Sequence, residues 1–371
     1  MQSIQSQTKS DLVQKNVSEI VLLVGTTKGA FFFFSDPERK HWDISGPFFL
    51  GSEINHIKMS YKPNNNILLA LKTPNKVPDI YKTPDLGKTW FHSDIAPHRD
   101  NKEPIDAILC LEPTNKKNNW YAGTYPSGLF YSEDNGSNWD EINLSFNVNQ
   151  IEINNFEEKI LGLHTIFVNQ KNHHHLIVAI GEMGIYESFD AGTTWELINE
   201  GIISDPLNPA CVHSLVLDKS NFKNLYQQNK SGVYRLDNNR KFWKHIGKNL
   251  SNKVDDFGYP MIIHPRNSNT IWTIPMIGSK INNSVMPLGR PSLYCSQNNG
   301  KEWFKQDIGF PIRNAWFTVN PKATATDNLE SVGIYIGTTN GAIWISRNEG
   351  NSWHQMAVNL PEIISLNIGY V

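Results

Sequence analysis

The stretch "SFDAGTTW" (188–195) sets Ser188, Asp190, Gly192, Thr194 and Trp195 in a fixed order, and the chain repeats that order. "TPDLGKTW" (83–90), "SEDNGSNW" (132–139), "SQNNGKEW" (296–303) and "SRNEGNSW" (346–353) share the template Ser/Thr-x-Asp/Asn-x-Gly-x-polar-Trp. "SDPERKHW" (35–42) and "LDNNRKFW" (236–243) keep the tryptophan and its setting but lose the glycine. The seven tryptophans, Trp42, Trp90, Trp139, Trp195, Trp243, Trp303 and Trp353, are spaced by 48, 49, 56, 48, 60 and 50 residues. Those intervals match one four-stranded propeller blade.

Upstream of each copy lies a matching pair of strand-like runs. "VLLVGTTKGAFFFFS" (21–35) and "GIYIGTTNGAIWIS" (333–346) are nearly the same phrase, with "NWYAGTYPSGLFYS" (119–132) and "LIVAIGEMGIYES" (176–188) as close variants. Each is an apolar run, a short Gly-bearing turn and an alternating aromatic run, the pattern of paired strands. No amphipathic helix interrupts them, so the chain reads as all-β. Residues from about 20 to 44 supply strands two to four of a blade, and "LPEIISLNIGYV" (360–371) supplies an innermost strand with no hairpin after it. Their pairing closes the ring and leaves no open sheet edge. The expectation is a single seven-bladed β-propeller over 19–371 whose C-terminal strand completes the N-terminal blade. The polar stretch over 1–18 reads as a disordered tail.

The repeated segment joins strands three and four. An Asp or Asn side chain accepts backbone N–H bonds inside such a turn, and glycine tolerates a left-handed backbone. Asn298 and Asn348 keep the acceptor oxygen but lose the carboxylate, which a catalytic role would not survive. Asp85, Asp134, Asp190, Asn298 and Asn348 are therefore scaffold. The template resembles the Asp-box, or BNR, repeat of sialidases, sortilin-type receptors, xyloglucanases and photosystem II assembly factors, across about residues 19–371. "GLHTI" (162–166), "ACVHSL" (210–215), "YQQNKSGVYR" (226–235) and "FGYPMIIHP" (257–265) are similar to a group of prokaryotic BNR-repeat proteins labelled glycosyl hydrolase. The resemblance implies architecture and little chemistry, because function lives in sites carried by folds. Sialidase-like chemistry implies three arginines, a Tyr–Glu pair and an Asp acid/base. Here only Arg313, in "PIRNAW", enters an inner strand, and "FPIR" (310–313) has the letters of the Phe/Tyr-Arg-Ile-Pro motif in the wrong order and place. Sialidase activity is not expected.

Blade geometry sorts the remaining residues by face. Three-to-four and one-to-two turns share one face, while two-to-three hairpins and blade-to-blade connections share the other. His173, His174 and His175 lie in a one-to-two turn and, being adjacent, converge poorly on one ion. His264 lies in an equivalent turn and reads as structural. On the opposite face, counting back from the turns puts His164, His213 and Tyr259 at equivalent inner-strand positions, within one residue, on three consecutive blades, with Asp106 and His56 one position away. Hairpins there add Glu182, Gln228, Lys230 and Lys28, with Tyr125 and Arg290 in the same set of loops. The longest loop, 275–292, can fold over the axis as a partial lid.

The expected ligand-binding set is His164, His213, Tyr259, Gln228, Lys230, Glu182, Tyr125, Arg290 and Arg313. The plainer alternative is that His164 and His213 hydrogen-bond neighbouring strands in the channel wall. No metal site and no cofactor are expected. Two function classes remain. A propeller of this kind can bind a small molecule, glycan, peptide or protein in an axial pocket, with Tyr125, Tyr259 and Trp316 as stacking surfaces. A glycoside hydrolase instead needs two facing carboxylates, drawn from Asp106, Glu182 and Asp256, with Asp205 and Asp255 on the same face. Net charge of -2 favours neither nucleic acid nor an anionic membrane as partner. Cys110, Cys211 and Cys295 are odd in number and widely spaced, which points to reduced thiols in a cytoplasmic protein.

Overall fold

The computed structural model describes residues 19–61, 65–99, 103–144, 162–202, 211–220, 222–250, 256–278 and 283–371. These form seven four-stranded antiparallel sheets in a ring, a seven-bladed β-propeller. Blade 1 pairs β28 (Ile363–Tyr370) with β1 (Ile20–Thr26), followed by β2 (Gly29–Ser35) and β3 (Asp43–Phe48). Ile20 stands opposite Tyr370 and Leu23 opposite Asn367, so the late strand closes the first blade as the sequence suggests. The inner strands of blades 2 to 7 are β4 (Glu53–Met59), β8 (Ala107–Pro113), β12 (Leu163–Val168), β16 (Val212–Leu217), β20 (Gly258–Ile263) and β24 (Thr324–Thr326). Consecutive inner strands touch all the way round, β24 meeting β28 and β28 meeting β4. Residues 1–18, expected as a disordered tail, lie outside the described residues. No helix among the described residues is long and apolar enough to cross a membrane.

Burial explains the texture of the sequence. β1 is buried along its whole length, as is nearly all of β5 (Ile67–Lys72), because the second strand of a blade is covered on both faces by neighbouring blades. Outer strands such as β7 (Phe91–His92) are exposed and can be short and polar.

The repeated turns, called Trp turns below, satisfy themselves. Ala191 (φ 60) and Gly192 (φ 92) are both left-handed. Asp190 accepts the Thr194 N–H at 2.8 Å and the Thr194 hydroxyl at 2.6 Å, and Ser188 donates to it at 2.8 Å. These donors, Thr194 first, hold the Asp190 carboxyl down at about 2. Trp195 Nε1 closes the turn on the Gly192 carbonyl at 3.0 Å. In the asparagine copies the facing residue changes to match: Asn298 Nδ2 donates to Glu302 Oε2 at 3.0 Å and Asn348 Nδ2 to Ser352 Oγ at 2.9 Å. Asn298→Asp sets two carboxylates face to face and is expected to lower the melting temperature, with Glu302→Thr added in the same chain restoring it. Parallel thermal melts check this, and an unchanged melt for the single variant refutes it.

The two eroded copies have a second use. Arg39 (φ 57) and Arg240 (φ 58) occupy the glycine position, still left-handed. Each reaches back to the preceding blade. Arg39 Nη1 meets Asp327 Oδ2 of blade 7 at 2.9 Å, and Arg240 Nη2 meets Glu187 Oε1 of blade 4 at 2.5 Å. Glu187 also takes His175 Nε2 at 2.5 Å, and the His175 ring stacks on Phe189 at 4.6 Å. This member of the histidine tract is thus part of an inter-blade fastening. His264 likewise accepts the N–H groups of Arg266 and Asn267 and stacks on Trp272.

Candidate functional site

Six inner strands carry a one-residue register shift near their start, against β1, β5, β9 (Trp120–Tyr125), β13 (Leu176–Ile180), β17 (Leu225–Asn229) and β21 (Ile271–Pro275) respectively. The skipped residues are Ile364, Asn55, Leu109, His164 and His213, and in β20 the shift falls at Tyr259–Pro260. A bulge twists its strand and re-aims the side chain. His164, His213 and Tyr259 therefore occupy equivalent places on successive blades. His56 sits one residue beyond the bulge, as expected. Asp106 does not sit one position away: it lies three residues ahead of Leu109, outside β8 and exposed, where its N–H bonds the Tyr125 carbonyl at 2.8 Å in the connection that enters the strand.

These side chains mostly address the next inner strand. His164 Nε2 donates to the Val212 carbonyl at 3.1 Å while Nδ1 accepts from the Thr165 hydroxyl at 2.9 Å. His213 Nδ1 donates to the Gly258 carbonyl at 2.9 Å, and its ring lies 4.6 Å from that of Tyr259. His56 Nδ1 accepts the Leu111 N–H at 3.2 Å. Burial, reinforced by the nearby charge of Lys322, pulls His164 down to about 3 and His56 well below its ordinary value. Burial pulls His213 down to about 4. All three rings are neutral, and their protons point where the partners require.

Around His213 the structure gathers Glu182, Lys230 and Cys211. Glu182 lies in a 3₁₀ turn (Gly181–Met183) and is 9 % exposed. Burial raises its carboxyl, against the opposing charge of Lys230, which also acts on His213 and Cys211. Cys211, treated in the sequence only as a buried thiol, is a neighbour of Glu182 and Tyr259 and is pushed up to about 12 by burial. Tyr259 Oη meets Ser284 Oγ at 3.3 Å.

Other candidates are placed elsewhere or already committed. Gln228 is fully buried between blades 5 and 6, donating to the Asp256 carbonyl and accepting from Thr273, both at 2.5 Å. It cannot meet a ligand. Asp256 Oδ2 holds His245 Nε2 at 2.7 Å and the Val233 N–H at 3.0 Å, which makes it a turn anchor. Tyr125 is half-buried at the end of β9, its carbonyl accepting the Asp106 N–H at 2.8 Å. Lys28, Arg290 and Arg313 are exposed. Asp205, Asp255 and the tip of the long loop at 279–282 lie outside the described residues. The described part of that loop, from 283 to 292, does not lie free over the axis. Met286 N bonds Phe317 O at 3.1 Å, and Ala315 N bonds Gly289 O at 3.0 Å. No set of three His, Cys, Asp or Glu side chains suited to a metal ion occurs among the described residues.

Two features crossing the axis had no signal in the sequence count. Lys322, just before β24, donates across the channel from blade 7 to the Leu109 carbonyl of blade 3, and burial lowers its pKa. No carboxylate among the described residues pairs with it. Nearer the Trp-turn end, Glu112 of blade 3 takes Lys219 of blade 5 at 2.9 Å, Lys58 at 3.6 Å and the Tyr61 hydroxyl of blade 2 at 3.1 Å. Contacts between non-adjacent blades must pass through the centre, so this cluster spans the channel at that end. Beside it, a cavity of about 130 Å³ opens among Tyr61, Asn66, Asn115 and Trp120.

No family model and no curated protein matches the chain. Solved structures do. A GH74 enzyme of Niastella koreensis superposes with TM-score 0.59 at 15 % identity, covering 95 % of this chain and 52 % of that one. An ancestral GH74 enzyme gives TM-score 0.58 at 15 % identity, with coverage of 83 % and 39 %. YCF48 bound to D1 peptide gives TM-score 0.53 at 15 % identity, covering 81 % of this chain and 80 % of that one. The likeness is one of fold. The chain spans 39 % and 52 % of the two GH74 enzymes it resembles.

Proposed function

We propose that the protein is a recognition propeller of the Asp-box (BNR) kind, binding a peptide, glycan or small molecule about its axis on the face away from the Trp turns. The observation that carries this is the pair of rings His213 and Tyr259, 4.6 Å apart on successive blades, with the charge of Lys230 acting on both His213 and Glu182. His213 spends Nδ1–H on Gly258 and keeps Nε2 as an acceptor. Lys230 supplies a cation, Glu182 a carboxyl whose pKa burial raises, and Tyr259 an aromatic wall beside His213. A few polar groups converging on a rigid apolar frame is what ligand sites require. The Glu112 cluster spans the channel at the other end, which supports an approach from this face. The scaffold itself does not choose between classes, since GH74 enzymes and a peptide-bound YCF48 share it. Cys110, Cys211 and Cys295 are separate buried thiols, which suits a reducing cytoplasm.

The test is a thermal-shift screen of peptides, oligosaccharides and metabolites against wild type, His164→Ala and His213→Ala. A ligand found with wild type is expected to bind His213→Ala at least about tenfold more weakly, the cost of one lost polar contact of ~1.4 kcal/mol. Equal binding by all three proteins would show that the histidines only join strands.

One observation favours the alternative, a non-sialidase glycoside hydrolase: burial raises the carboxyl of Glu182, as a general acid requires. With Asp256 committed to its turn, the second carboxylate would be Asp106 or a residue outside the described set. Hydrolysis of an aryl glycoside by wild type, abolished in Glu182→Gln, would establish that activity. Equal rates in both, or none, would leave recognition standing.

A further inference from the structure

Outside the axial cluster, the same face carries an apolar ridge that is exposed among the described residues. The loop from 283 to 292 and the connection that leads from blade 6 to blade 7 are bonded together through Gly289 and Ala315. Their junction presents Leu288, Ile312 and Trp316, which are 73 %, 79 % and 61 % exposed. Leu288 sits at φ 56, a left-handed backbone that costs a branched L-residue about 1–2 kcal/mol and here holds its side chain outward. The indole of Trp316 lies against Gly289, where an added Cβ would stand 2.9 Å from Trp316 Cε2. Arg290 and Arg313 flank the ridge within two residues of the Gly289–Ala315 bond. Both are exposed, and neither forms an ion pair with a carboxylate among the described residues. Asp307, the nearest acid along the connection, is already paired with Lys305.

Contiguous exposed apolar surface marks a contact site, and tryptophan with arginine is the composition that dominates contact energies. Planar guanidinium groups beside such a surface match carboxylates in pairs. We propose that this ridge docks an acidic peptide segment carrying large apolar side chains, the acids meeting Arg290 and Arg313 while an apolar side chain packs on Trp316 and Leu288. This goes beyond the axial reading: Arg290, Arg313 and Trp316, expected at the axis, stand on this ridge instead, and the proposal uses none of Glu182, His213, Lys230 and Tyr259, so it stands or falls separately.

The experiment is fluorescence anisotropy with two labelled probes, a short peptide alternating Glu or Asp with Leu or Phe and its counterpart with Lys at every acid. Wild type is expected to bind the acidic probe and not the basic one, more weakly as salt rises. Trp316→Ala is expected to lose at least about tenfold, typical of a contact anchor. The double charge reversal Arg290→Glu/Arg313→Glu is expected to exchange the preference in favour of the basic probe. All three side chains are exposed, so an unchanged melting temperature verifies folding in each variant. Equal binding of both probes, or an unaffected Trp316→Ala, overturns the proposal. So does loss of binding in His213→Ala alone, which assigns the probe to the axis. Self-association abolished by Trp316→Ala would assign the ridge to a second copy instead. Co-sedimentation with anionic vesicles abolished by the same variant, without peptide binding, would assign it to a lipid surface.

Discussion

Asp327→Ala is expected to remove about 3–5 kcal/mol of folding stability, the range for breaking one side of a buried ion pair. Asp327 is fully buried and Arg39 is 5 % exposed. The carboxylate takes Arg39 Nη1 at 2.9 Å, Tyr335 Oη at 2.8 Å, and the N–H groups of Gly333 and Leu329 at 2.8 and 3.0 Å. Removing it strands a buried guanidinium and three donors at once. The pair also joins blade 7 to blade 1, so its loss is felt where the ring closes. Urea denaturation reads the change, and Arg39→Met/Asp327→Leu is expected to recover part of it by leaving no charge unpaired. An Asp327→Ala midpoint equal to wild type would show that the closure does not depend on this pair. Cutting the exposed Lys40–Glu38 pair gives the contrasting null result.

Acidification is the second large effect. His56, His164 and His213 all have folded pKa values below the ordinary 6.5, so the unfolded chain binds more protons than the native one in the interval between. Stability is therefore full above pH 6.5 and declines as the pH falls toward 4, by up to about 1.4 kcal/mol per unit for each ring. His264, also depressed by burial, acts in the same direction. The carboxylates held low, such as Asp190 at about 2, lose their share only below about 4, so the upper window belongs to histidine. Denaturant midpoints from pH 7 to 4.5 check the slope, and His164→Gln is expected to flatten it by about one proton. A midpoint unchanged between pH 7 and 5 would contradict the buried neutral rings.

The architecture was legible because it repeats. Seven tryptophans at blade spacing, paired apolar runs before each and one unpaired strand-like tail allow few solutions, and β1 against β28 is the one anticipated. Of the candidate site, only the neighbourhood of its residues was legible. Position along the chain identified His164, His213 and Tyr259 as residues of successive inner strands, which the structure sets side by side. It does not fix depth along a strand: Asp106 lies three residues ahead of the bulge at Leu109, before β8 begins. Nor could it tell a hairpin residue that faces solvent from one that faces the next blade, which is why Gln228 and Asp256 looked available and are committed. Lys322 and Glu112 escaped because their partners stand on non-adjacent blades, a relation that local periodicity does not encode. Arg39 and Arg240 carried a signal that was overlooked: arginine in place of the glycine of a repeated turn is itself a departure that asks for a reason.

The pairing of Ile20–Thr26 with Ile363–Tyr370 also bears on how the molecule is made. A nascent chain emerges from its first residues onward, so six blades can assemble while β1 still shows a bare edge, a template for promiscuous strand addition. Only when the segment from Ile363 leaves the ribosome is that edge occupied. A chain cut before Ile363 is expected to keep the β1 edge bare and to pair it with strands of other molecules.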